Sequence, residues 1–227
     1  MNTTHGTQSH TGPIIVTAAI AAAVTVVAMF LVFVITGIGQ DPLQYVHTPA
    51  EYFDILRREP SILRMAIGLD NLFIVAYGTL FAALGVSLWR SSAMRGVLAT
   101  SLALLATSTF LDLVENMHFL AMISAAAQGA QIGSGEIHLQ VTESLIKFHV
   151  SYLGLFLLGL TLRAETGPER LLRGLLLWFQ VPVGMLIYIV PAVALPLVLT
   201  RFSFFFVALL LFAWIFRRSG FGSDAPV

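Results

Sequence analysis

Six long apolar stretches leave this chain very few folds. A helix needs roughly 20 apolar residues to cross about 30 Å of hydrocarbon. Such stretches run over approximately 14–38, 65–89, 96–125, 140–162, 174–194 and 197–216. They predict an all-α fold, a polytopic integral membrane helical bundle of about six transmembrane helices. The charge content agrees: 11% of the 227 residues are charged, against about 25% in soluble domains. The first stretch follows a polar tail (residues 1–13) without Lys or Arg and runs about 25 residues, too long for a signal-peptide core. It is expected to be a retained span.

Lys and Arg total 12, as do Asp and Glu, and no basic run occurs, so no nucleic-acid surface is expected. The chain has no cysteine, which excludes disulfides, thiolate metal sites and cysteine nucleophiles. No phosphate loop or serine-hydrolase elbow stands in a suitable setting.

Arginines in short loops set the expected orientation. Arg90, Arg95, Arg163, Arg170, Arg173, Arg217 and Arg218 fall on one side of a six-span bundle, and Arg57, Arg58 and Arg64 on the other. The positive-inside rule makes the first side cytoplasmic. Both termini, N-in and C-in, including the 217–227 tail, are then cytoplasmic in an integral cell membrane of the bacterial inner-membrane type. Pro182, Pro191 and Pro196 interrupt the last apolar run, and Pro196 is the expected turn. A single kinked helix with a re-entrant piece is the alternative.

Between the first two spans, Thr48-Pro49-Ala50-Glu51 has the pattern of an N-cap, a first-position proline and a capping-box glutamate. It predicts a short helix over 49–58 at the outer interface, with Tyr52, Ile55 and Leu56 on one face and Pro60 ending it. Residues 128–136, rich in Gly, Gln and Ser, read as a flexible outer loop.

Within the apolar stretches stand Asp70, Asp112, Glu115, Glu143, Lys147 and Arg201. A charge at mid-bilayer costs at least about 2.5–3.5 kcal/mol on insertion scales, so such residues face a partner, cavity or ligand. At about 1.5 Å per residue, all six fall roughly 22–28 Å from the cytoplasmic boundary, one band in the outer leaflet. Asp112, Glu115 and Asn116 share a helical stripe, as do Glu143 and Lys147, and Asp70 and Tyr77. Asn71 is expected to point about 100° away from Asp70. The simplest pairing is Glu143 with Lys147 and Arg201 with Asp112.

Four carboxylates against two cations leave two negative charges over, to be balanced by protons, a metal ion or a cationic ligand. The expected function is therefore an acidic, proton- or cation-binding pocket acting on or binding a small or lipophilic substrate. In an enzymatic version Asp112 or Glu115 is the general acid/base, with Asp70, Asn116, Glu143, Lys147, Arg201 and Tyr77 holding substrate. A divalent metal would draw on His118, His149 and Glu115, although both histidines lie about 240° from the main acidic stripes. The alternatives are a proton-coupled transporter and an accessory subunit, in an oligomer or membrane complex, whose ion pairs only fix packing.

Overall fold

A computed structural model describes residues 11–89, 92–190 and 194–221. Arg90, Pro191, the histidines and glycosylation-type Asn2-Thr3-Thr4 of the first ten residues, and the last six residues lie outside them. The described residues form α1 (Thr11–Thr36), a 3-10 turn (Asp41–Gln44), α2 (Pro49–Arg58), α3 (Pro60–Trp89), α4 (Arg95–Ala127), α5 (Ser134–Thr161), α6 (Gly167–Gly174), α7 (Gln180–Ile189) and α8 (Ala194–Phe221). A π-helical stretch, Leu175–Phe179, joins α6 to α7. Among the described residues six segments are long and apolar enough to cross a membrane: α1, α3, α4, α5, the α6–α7 rod and α8. The protein is a multi-pass helical membrane bundle.

The spans close into a ring in chain order. Each packs on its sequence neighbours, and α8 returns to α1. Gly12 of α1 lies beside the Phe216 carbonyl of α8, 3.8 Å from where a Cβ would stand. Helix α1 can approach this closely because its buried stripe is Ile15, Ala18, Ala19, Ala22, Ala23 and Val26. Small residues at i, i+3, i+4 and i+7 let backbones meet where burial from water supplies no driving force. Its large side chains, including Ile20, Val24, Phe30, Leu31 and Ile35, are exposed, as a lipid-facing surface requires. Between α4 and α5, Ser101 Oγ donates to the Gly154 carbonyl at 2.7 Å.

Several boundaries differ from the hydropathy expectation, each for a local reason. Helix α3 starts at Pro60 rather than 65: proline, without an N–H, suits the first position of a helix, so Pro60 opens α3 instead of merely ending α2. Helix α5 starts at Ser134 rather than 140, which places Glu136 in its first turn. The fifth span starts at Gly167 because Thr166 and Glu169 form a capping box there, and its charged first turns lower the local hydropathy. Pro196 is not the turn; it sits in the first turn of α8, where a missing N–H costs no hydrogen bond. Pro182 cannot bond to the residue-178 carbonyl, and the wide π-helical stretch just before it accommodates the misfit.

The expected 49–58 helix is α2, with the Thr48–Glu51 capping box complete. Its apolar face is docked, with Tyr52 and Leu56 fully buried against Leu43, Leu63, Phe119 and Ile123. A second apolar cluster, with Leu80, Leu84, Leu98, Leu105, Leu155 and Leu158, fills the other half of the bundle. The polar side chains lie between the two.

Candidate functional site

Each contributing helix changes chemistry at the same level. Along α3 the buried residues run Leu63, Ile67, Asp70, Ile74, Tyr77, Leu80. Along α4 they run Leu105, Ser108, Glu115, Asn116, Phe119, and along α5 Ile137, Gln140, Ser144, Lys147, Tyr152, Leu155. The result is a polar layer roofed by the α2-side apolar cluster and floored by the leucine-rich one.

Lys147 is the hub. Its ammonium, 5% exposed, donates to Asp112 Oδ1 at 2.7 Å and to Glu115 Oε2. Glu115 is fully buried and also accepts from Ser144 Oγ and, at 3.5 Å, from Gln140 Nε2. Asp112 accepts from Tyr77 Oη at 2.6 Å. The expected Glu143–Lys147 and Arg201–Asp112 pairs are thus not the ones formed. Both carboxylates of α4 share Lys147, because α4 packs between α3 and α5 and turns Asp112 and Glu115 toward the seam with α5.

Asp70 is held differently. It is buried, and Oδ2 accepts from Asn116 Nδ2 at 2.8 Å, with a second side-chain donor in Gln40. Among the described residues no Lys, Arg or His is paired with it. Its electrostatic neighbours are Asp112, which opposes its charge, and Lys147, which favours it. Asn116 Nδ2 also donates to Asn71 Oδ1 at 3.0 Å. Asn71 therefore borders the layer instead of pointing away, since its side-chain oxygen and that of Asp70 both reach the one Asn116 nitrogen. The buried Oδ1 of Asn116 and the Oε1 atoms of Gln40 and Gln140 have no donor among the described residues.

Arg201 enters from α8, 4% exposed. Its guanidinium lies over the Phe148 ring, 4.4 Å from the centroid. Nη1 donates to Tyr152 Oη at 3.4 Å, and Nη2 stands 3.7 Å from Asp41 Oδ1. Burial pushes the Asp41 carboxyl above its ordinary range, while Arg201 and Lys147 pull it part of the way back. The 3-10 turn carrying Asp41 therefore belongs to the site, together with Phe148, Tyr152, Ser144, Gln140 and Gln40. None of these stood out in the sequence. Asp41 and Gln40 lay in a loop, Gln140 and Ser144 gave only a shared α5 stripe with Lys147, and Phe148 and Tyr152 were ordinary aromatic residues of an apolar helix.

Glu143 pairs with His118. Nδ1 of the imidazole is 2.8 Å from Glu143 Oε2, and Nε2 is 2.8 Å from Glu136 Oε1. The three metal candidates are not brought together. Glu115 is bound to Lys147 and Ser144, His118 lies between two glutamates, and His149 is exposed with Nδ1 2.6 Å from the Leu145 carbonyl. Among the described residues no three His, Asp or Glu side chains are grouped as a metal site requires.

Next to the layer, on its leucine-rich side, a cleft lies between α3, α5, the π-helical stretch, α7 and α8. Leu80, Leu155, Leu176, Phe204 and Leu209 line it, with Gln180 as its polar member. Gln180 is 3% exposed, and its Nε2 has no acceptor among the described residues.

The chain matches no protein-family model, and no curated protein or solved structure is significantly similar to it.

Proposed function

We propose that this protein binds a proton within the membrane, with Asp70 as the exchanging group of the polar layer. The observation that carries this reading is the contrast between the three acids of the layer. Asp112 and Glu115 are fixed by Lys147; Asp70 is met by neutral amides. An ionised carboxylate in low dielectric is costly without a cation beside it, and the neutral acid is the ordinary escape. A protonated Asp70 would also bring a donor into a site where three amide oxygens lack one. Grouped oxygen and imidazole ligands would favour a metal reading; the separation of His118, His149 and Glu115 favours the proton.

On this reading Lys147, Asp112, Glu115 and Tyr77 form the fixed electrostatic frame around Asp70. Arg201 ties the frame to the 3-10 turn. The arginine distribution orients the layer toward the outer leaflet of an inner-type cell membrane, with both ends of the chain in the cytoplasm.

Counting protons taken up by the purified protein across a pH titration tests this reading. Asp70→Asn should remove one proton from the total; an unchanged count would exclude Asp70. Proteoliposomes then separate the two ways of using that proton. Dissipation of an imposed pH gradient, lost in Asp70→Asn, would support a proton-coupled carrier. Proton binding without flux would support a site that acts on a resident substrate. The leucine-rich cluster that floors the layer on one side favours the second.

A further inference from the structure

His118 is held in a way that a packing role does not require. A neutral imidazole has one N–H and one lone pair, so it can donate at only one nitrogen. Here each nitrogen faces a carboxylate oxygen at 2.8 Å. Both contacts become hydrogen bonds only if the group holds one proton more than a neutral ring and two carboxylates. That proton sits either on the ring, as imidazolium, or on one glutamate, which then donates to the ring. The three side chains therefore share a proton that has two places to go.

An exposed outer end and the order of the residues along α4 and α5 give this arrangement a direction. The Glu136 side chain is 49% exposed, His118 13% and Glu143 24%. Glu136 is in the first turn of α5, at the end of the bundle that carries α2. Glu143 stands two turns further along α5 and one turn before Lys147, while His118 stands one turn beyond Glu115 on α4. Of the other packed elements, Tyr52 of α2 lies within electrostatic reach of Glu136 and Glu115. The chain of groups thus runs from solvent past the apolar roof toward the Lys147 frame.

We propose that Glu136, His118 and Glu143 form the proton-uptake relay of the buried layer; this rests on the reading of Asp70 as its exchanging group. Glu136 takes a proton from water and passes it to Nε2 of a ring that carries its own proton on Nδ1. The Nδ1 proton moves to Glu143 Oε2, and the ring is left neutral as the other tautomer. Glu143 hands the proton inward to the layer and returns to its carboxylate form. One passage moves one proton and consumes no other reactant. Reorientation of the ring restores the starting tautomer.

The test is the rate at which Asp70 protonates after a rapid drop in pH, followed in detergent-solubilised protein by the infrared carboxyl band that Asp70→Asn removes. In His118→Gln, which keeps a hydrogen-bonding amide but cannot shuttle a proton, the band should reach its wild-type extent about 100-fold more slowly, the lower end of the usual contribution of a positioned acid/base. Added imidazole should restore the rate in His118→Gly, which a purely structural role would not allow. Glu143→Gln should slow uptake similarly and serves if the His118 variants do not fold. Wild-type rates in His118→Gln and Glu143→Gln would overturn the relay and leave the Asp70 reading standing. Absence of a titrating Asp70 band in the wild type would overturn both.

Discussion

Replacing Lys147 by methionine removes the charge and keeps most of the side-chain volume. Asp112 then loses a donor at 2.7 Å and keeps Tyr77. Glu115, fully buried, keeps only the neutral donors Ser144 and Gln140. Breaking a buried ion pair from one side costs about 3–5 kcal/mol, because the stranded charge remains desolvated. For a chain of this size each kcal/mol moves the melting midpoint by roughly 2–4 °C. Lys147→Met should therefore melt about 6–20 °C below wild type, read by circular dichroism in detergent at neutral pH. Adding Asp112→Asn and Glu115→Gln removes the stranded charges, so the triple variant should regain most of that loss. Contacting residues are coupled in this way, and the sum of the single effects should overstate the triple by more than the 0.5 kcal/mol or so allowed for independent sites. A Lys147→Met midpoint within about 2 °C of wild type would refute the role of Lys147 as hub. So would a triple variant no more stable than the single one.

Three further perturbations address the surroundings of the layer. In Gly184→Ala the new Cβ would run into the Tyr152 ring, and the overpacking should cost about 1–3 kcal/mol in thermal melting; a wild-type midpoint would contradict this contact. Asp41 titrates above its ordinary 3.8 because of burial, so the folded state binds more protons than the unfolded one from pH 3.8 up to the folded value. Its contribution to stability falls as pH rises through that window, and Asp41→Asn should flatten this part of the stability–pH curve. Thr48→Ala should cost about 1 kcal/mol by removing the cap, seen as faster amide exchange in α2 with little change in α4.

The membrane class was legible because hydropathy and length act over whole segments and tolerate local exceptions. The Thr48–Glu51 box was legible because capping is local chemistry, decided within four residues. The polar band was legible too, since helical rise converts sequence position into depth. The partners were not. Spacing shows that Glu143 and Lys147 share a stripe of α5, but a neighbouring helix supplies competing charges that no local count contains. Asp112 and Glu115 win Lys147, and His118 takes Glu143 although it lies far around α4 from Asp112. That helix packs on both α3 and α5, so two of its faces carry chemistry, whereas a single-stripe reading allows one. Asp41 and Gln40 escaped notice because loop residues carry no periodicity, and only the folded chain places the 3-10 turn over Arg201.

The central claim, that Asp70 exchanges a proton inside the membrane while Asp112 and Glu115 stay bound to Lys147, is tested most directly by infrared difference titration of wild type and Asp70→Asn in lipid. The account predicts one carboxyl band that follows pH in the wild type and is missing from Asp70→Asn. A titrating band that survives Asp70→Asn and disappears in Asp112→Asn or Glu115→Gln would contradict it.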